Sequence, residues 1–102
     1  MSTAEADIVD LQALARALPA WRSRQLGRIG SARLKLLRMD EASYVEEVHD
    51  FTEALLVLDD VLRLHIDGVP RVLGAGQLCL VPAGVPHAVD EGSAGALLIL
   101  DT

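Results

Sequence analysis

The chain predicts an all-β, antiparallel domain preceded by one short α-helix. Apolar runs of strand length recur along it, with turn residues between them roughly every 8–12 residues, the rhythm of a sandwich or barrel. Hydrophobic residues make up 51% of the 102-residue chain but aromatics only 3%, so Leu, Val, Ile and Ala must fill the interior. Medium-sized aliphatic side chains of that kind interdigitate well inside a β-barrel. The third observation is a tight Pro/Gly turn, Pro82-Ala83-Gly84-Val85-Pro86, that follows a strand and ends at His87.

In chain order, residues 7–18 read as a helix. Asp7 can cap it, Ile8, Leu11, Ala15 and Leu18 fall on one stripe, and Pro19 stops it. From Trp21 the period changes. Leu34, Leu36 and Met39, with Leu37 off phase, suggest a strand that turns at Asp40-Glu41. Residues 44–49 form the next extended piece, with a turn at 50–52, and 54–58 is a continuous apolar run of strand length. Asp59-Asp60 turns into 61–66, where Leu62, Leu64 and Ile66 share a face, and Asp67-Gly68 is a hairpin signal leading into 69–73. Gly74-Ala75-Gly76 turns again, 77–81 is extended, and 96–100 is the last strand. The organisation expected is one domain over 1–102, with the helix at about 7–18 and the barrel at about 21–101.

The net charge of −6 argues against nucleic acid, whose phosphates need a basic face. No segment reaches the roughly 18 consecutive apolar residues of a membrane span, and the start, Met-Ser-Thr-Ala-Glu-Ala-Asp, is acidic and lacks a signal-peptide core. The single cysteine, Cys79, has no partner for an internal disulfide and reads as a small core hydrophobe between Leu78 and Leu80. A cytoplasmic protein is expected. The roughly 30 residues before the barrel leave no room for a helix-turn-helix, which argues against a transcription regulator.

Two segments carry the chemistry. In Gly76-Gln-Leu-Cys-Leu-Val-Pro82-Ala-Gly84-Val-Pro-His87, Gly76 can open the strand with a positive φ, Pro82 fixes φ without an amide donor, and Gly84 permits a sharp reversal. Pro86 pushes Val85 towards extended geometry and stiffens the approach to His87. A histidine held this way loses less entropy on binding than one on a loose loop. The second segment is Glu47-Val48-His49-Asp50-Phe51-Thr52-Glu53.

The later segment matches the pattern G-x5-P-x-G-x2-H of the cupin superfamily at Gly76, Pro82, Gly84 and His87. The earlier one resembles the cupin's other motif, two histidines two apart followed by a glutamate four or five residues on, with His49 and Glu53 as the second histidine and the glutamate. Glu47 stands where the first histidine belongs, Asp60 replaces the glycine that usually closes that motif, and Glu91 is the polar residue four after His87. The resemblance runs from about Arg33 to Asp101 and is closest to the small single-domain cupin 2 type. It implies an antiparallel jelly-roll β-barrel with a divalent metal inside. Its members include isomerases, dioxygenases, decarboxylases and small-ligand sensors.

Glu47 and His49 are two apart on an extended segment and so share a face; Glu53 has matching parity, and His87 would approach from a neighbouring strand. Two carboxylates and two imidazoles make a mixed O/N site suited to Fe, Mn, Ni or Zn. The bland account of Glu46-Glu47 is a solvated acidic rim. His65 has the outward parity of its strand and reads as a surface residue, Trp21 as a packing or interface anchor, and Tyr44 as an ordinary strand tyrosine. Arg22, Arg24, Arg28, Arg33 and Arg38 bias the N-terminal half towards acidic partners or intersubunit pairs.

Two functions follow. One is a metal-dependent protein that binds or converts a small molecule at Glu47, His49, Glu53 and His87. The other, favoured by the Glu47 and Asp60 departures, is a cupin without metal that acts as a ligand-binding or structural homodimer. In both, the expected partners are a small molecule and a second copy of the chain, with no nucleic acid and no membrane.

Overall fold

A computed structural model describes residues 5–102; the first four residues of the acidic start lie outside the described residues. Among the described residues the order is one helix, α1 (Leu11–Ala17), and eight strands: β1 (Arg24–Ile29), β2 (Ala32–Asp40), β3 (Glu53–Val57), β4 (Val61–Ile66), β5 (Val69–Gly74), β6 (Leu78–Val81), β7 (His87–Val89) and β8 (Ala94–Asp101). All pairings are antiparallel. One sheet runs β1-β2-β8-β3-β6. The other places β4 between β5 and β7, and the single pair Val61–Ala94 joins the two. This is a jelly roll with a short N-terminal helix.

The main core lies between the sheets. Leu55 and Val57 of β3, Leu62 and Leu64 of β4, Val81 of β6 and Leu97 of β8 are buried together. A second cluster sits on the outer face of the larger sheet, where Ala15 and Leu18 at the helix cover Leu36 and Ala96. Sheet faces alternate with residue number, so β2 is covered on both sides. Leu36 faces the helix, while Leu37 and Met39 face the barrel. The off-phase Leu37 is therefore the inward residue of a strand with two dry faces.

Three local expectations change. The helix is shorter than 7–18 because Asp10, not Asp7, is its cap: the Asp10 carboxylate accepts from the Ala13 amide at 3.1 Å. Ile8, placed in the apolar stripe by the sequence, precedes the helix and is 98% exposed. Strand β1 was not foreseen, since Arg24–Ile29 has no alternation. It carries a bulge between Gln25 and Gly27, and only Leu26 in it is half-buried. Of the arginines assigned to outside partners, Arg38 donates through Nε to the Leu18 carbonyl (2.7 Å) and Arg33 pairs with Asp101.

The turns follow the residues. Asp67 and Gly68 both have positive φ (50° and 76°), as a two-residue hairpin of the mirror-image type requires, between the paired Ile66 and Val69. Asp60, where a glycine would be usual, also has positive φ (64°), a region aspartate tolerates better than most residues. Gly95 on β8 is the glycine with the tightest surroundings. Its φ is +93°, and a Cβ there would lie 2.3 Å from the Asp59 carbonyl oxygen and 2.6 Å from the Asp60 Cβ. Gly95→Ala is expected to cost about 2–4 kcal/mol, since it combines backbone strain with overpacking against a turn. Urea titration measures this, and a loss under ~0.5 kcal/mol would refute the close approach.

Candidate metal centre

The segment 44–49 is not a full strand but is tied to β7 as if it were one. The Glu47 amide donates to the His87 carbonyl (2.8 Å), the His87 amide donates back to Glu47 (3.0 Å), and the Tyr44 amide donates to Val89 (2.9 Å). The Pro/Gly turn is bound to the same segment, because the Gly84 amide donates to the His49 carbonyl at 2.7 Å. Gly84 makes that approach with φ +79°. Gly76 (φ +83°) opens the strand before it and donates to Val57 at 2.7 Å. The two motifs are therefore joined through their backbones before any side chain is considered.

Those bonds bring Glu47, His49, Glu53 and His87 together, each with one donor atom, all within 4.8 Å of one another. His49 Nε2 lies 3.1 Å from Glu47 Oε2 and 3.7 Å from Glu53 Oε2, and His87 Nε2 lies 3.1 Å from Glu53 Oε1. Two ligands that each sit about 2.1 Å from one ion are about 3.0–3.4 Å apart, so the spacing suits a shared cation. Glu53 (7% exposed) and His87 (6%) form the buried side, with His49 and Glu47 more open.

The protonation of His87 sharpens this. Its Nδ1 lies 3.1 Å from the Val85 carbonyl, which can only accept, so Nδ1 carries the proton. In the neutral ring Nε2 then presents a lone pair to the Glu53 carboxylate. Two acceptors at 3.1 Å require a positive centre between them, either a proton or a metal. Orientation of a histidine by a backbone carbonyl is the usual arrangement behind a metal ligand. Burial pushes the Glu53 carboxyl above its ordinary value, and the nearby His49 and His87 oppose the rise without cancelling it. Phe51 stacks on the His49 ring (centroids 4.7 Å apart, 13° between planes) and fixes its orientation.

The cluster faces a cavity of about 370 Å³ between the sheets, also lined by Trp21, Tyr44, Leu55 and Ile99. Trp21 and Tyr44 stack there with centroids 6.1 Å apart; Trp21 packs against the main core, as a packing anchor would, and Tyr44 belongs to the cavity wall rather than to an ordinary strand face. The remaining expectations fall outside the site. His65 is exposed and pairs with Asp90 at 2.6 Å, and Cys79 packs half-buried against the main core, where burial raises its thiol pKa. Sequence reasoning left Lys35 and the buried Asp101 without a role, yet both line the cavity with Arg33. Strand parity from Leu37 would have placed Arg33 and Lys35 inside.

The family profile for the Cupin domain matches residues 36–102. The chain belongs to the cupin family. No curated protein sequence matches this cupin, whereas solved structures do. A cupin-2 domain-containing protein from Shewanella frigidimarina superposes with a TM-score of 0.83 at 20% identity, over 92% of this chain and 93% of that one. An RmlC-like cupin from the same organism gives 0.69 at 23% identity, over 76% and 71%. Hydroquinone 1,2-dioxygenase PnpCD in complex with Cd2+ and 4-hydroxybenzonitrile gives 0.75 at 15% identity, over 97% and 79%. At these identities the likeness is one of fold.

The raised Glu53 sets a test. Its protonated form is favoured by the fold, so its contribution to stability is fullest below the ordinary carboxylate range and is lost as pH rises through its raised value. Glu53→Gln keeps the shape, stays neutral, and offers His87 Nε2 a donor. In the presence of a chelator at about pH 8, this variant is expected to melt a few degrees above the parent protein, with the gap closing as pH falls. A lower melting temperature for the variant at that pH would contradict the assignment.

Proposed function

We propose that this cupin is a metal-dependent protein that binds or converts a small molecule in the barrel cavity, and that it works as a homodimer. One observation carries the metal: His87 Nε2, with its proton directed to Nδ1, faces the buried Glu53 carboxylate at 3.1 Å, beside His49 and Glu47. The donor set of two imidazoles and two carboxylates suits Fe, Mn, Ni or Zn. Such an ion would polarise a carbonyl or hydroxyl, or activate a water, on the side open to the cavity. The chain's own part is to hold four donors on two sheets, wall the cavity with Leu55, Ile99 and the aromatics, and limit water.

Support for the dimer comes from the strands at the sheet ends. Val69 and Val72 on β5 and Leu78 and Leu80 on β6 are all at least half exposed, and among the described residues each strand has hydrogen-bonded partners on one side. Apolar side chains beside free strand edges favour pairing with a second copy.

Tag-free protein purified without a metal column is expected to contain about one equivalent of a first-row divalent metal per chain by mass spectrometry, and His49→Ala/His87→Ala close to none. Protein that stays metal-free after incubation with each ion would leave the plain ligand-binding cupin as the reading. By sedimentation velocity the parent should run as a dimer and Leu80→Lys as a monomer; a monomeric parent removes the dimer.

A further inference from the structure

The inner face of the larger sheet carries a second charged group beside the candidate ligands. On β2 and β8, Arg33 is paired with Asp101; on β8 and β3, Leu100 is paired with Ala54. The same register sets Asp101 next to Glu53, so Arg33, Asp101 and Glu53 form one row across three strands. Lys35, one inward position deeper, is paired with Ile99, which is paired with Leu55. Asp101 is buried (5% exposed), with Arg33 Nε donating to Oδ1 at 2.9 Å and Lys35 Nζ at 2.5 Å from Oδ2. All three residues line the cavity.

Two cations share one carboxylate, which leaves one positive charge in excess at this end of the cavity, two strands from Glu53. The guanidinium uses Nε alone, so among the described residues its Nη edge has no protein acceptor. Arg33 takes Oδ1 and Lys35 takes Oδ2, yet Asp101 needs only one cation to be neutralised, so the second adds charge beyond what neutrality requires. An oriented, partly dehydrated Arg–Lys pair is the arrangement that recognises a carboxylate. The row also fixes the reach, since neighbouring strands are about 4.8 Å apart and Arg33 is two strands from Glu53.

The ligand's body can be read as well. The chain has one Trp, one Tyr and one Phe, and all three line this cavity. Trp21 Nε1 is, among the described residues, the one buried side-chain donor or acceptor without a hydrogen-bond partner. An aromatic-poor protein that places every aromatic ring around one cavity favours a flat, apolar occupant.

We propose that the cavity takes a small planar organic carboxylate. Its carboxylate is held by Lys35 and Arg33, and an oxygen donor at its other end is directed towards Glu53, His49 and His87. This rests on the metal-dependent reading above for the second contact but not for the first. Lys35 and Arg33 thereby become the residues that determine specificity for an acid over its neutral analogue.

The test is isothermal titration calorimetry and melting-temperature shift on the full chain, with metal content measured on the same samples. The probes are salicylate, 3,4-dihydroxybenzoate and phenylpyruvate, each paired with its amide. At least one acid is expected to bind tenfold or more tightly than its amide. Lys35→Met, which keeps the aliphatic stem and leaves Arg33 on Asp101, should erase that preference at unchanged metal content, and Lys35→Arg should restore much of it. Arg33→Gln, should Lys35→Met fail to fold, is expected to give the same loss.

Preference for acids in protein that binds no metal would sustain the carboxylate site while removing the metal centre. Stoichiometric metal with no acid preferred over its amide, or a preference that survives both Lys35→Met and Arg33→Gln, would overturn the carboxylate site.

Discussion

The backbone bonds between Glu47 and His87, and from Gly84 to the His49 carbonyl, are the constraint on which the site depends. They run between two stretches almost forty residues apart in the chain, and they hold the 44–49 segment to β7 although it forms only one regular bridge there. With the backbones fixed, the His49 and His87 rings have little freedom and lie 5.2 Å apart at 59°. Glu53 arrives from the other sheet at the first position of β3, so the four donors converge only if the two sheets face each other correctly. The core between the sheets therefore supports the geometry of the site, as preorganisation requires.

The same inner face buries two carboxylates and treats them differently. Burial of an ionised carboxylate is costly unless opposite charge or several donors compensate it. Asp101 has that compensation built in, from Arg33 and Lys35. Glu53 has two imidazoles instead, and the one nearest to it points a lone pair at it. Burial consequently pushes the Glu53 carboxyl upward. One carboxylate is satisfied by two cations of the polypeptide; its neighbour in the row has only imidazoles beside it, and burial favours its neutral form.

What was legible in the sequence was what is local. The turn at Pro82–Pro86, the Asp67-Gly68 hairpin and the spacing of Gly76, Gly84 and His87 depend on φ preferences of individual residues, and the structure has them as expected. Strand β1 was illegible because its partner, not its pattern, makes it a strand: it lies on β2 with three basic or polar side chains and a glycine bulge among its six residues. The double covering of β2 hid behind an apparent phase error at Leu37, since alternation fails when helix α1 makes the outer face apolar too. The cavity was the least legible part. Trp21, Tyr44 and Phe51 come from connecting segments, and the Arg33–Asp101 pair joins residues 68 apart, which only the register of β2 on β8 brings together.

Glu47 gains a meaning in this setting. The motif it departs from would supply three histidines and one glutamate, leaving a divalent ion with a net positive charge to attract an anion. With Glu47 beside Glu53, two carboxylates would neutralise the ion, and the centre itself would offer an anionic ligand much less. The missing attraction has a counterpart two strands away, where Arg33 and Lys35 exceed Asp101 by one charge on the wall of the same cavity. With a glutamate in place of the motif's first histidine, four donor atoms still lie within 4.8 Å of one another. On the proposed reading the substitution would move the positive charge that selects an acid from the ion to the polypeptide, where Arg and Lys can also direct it.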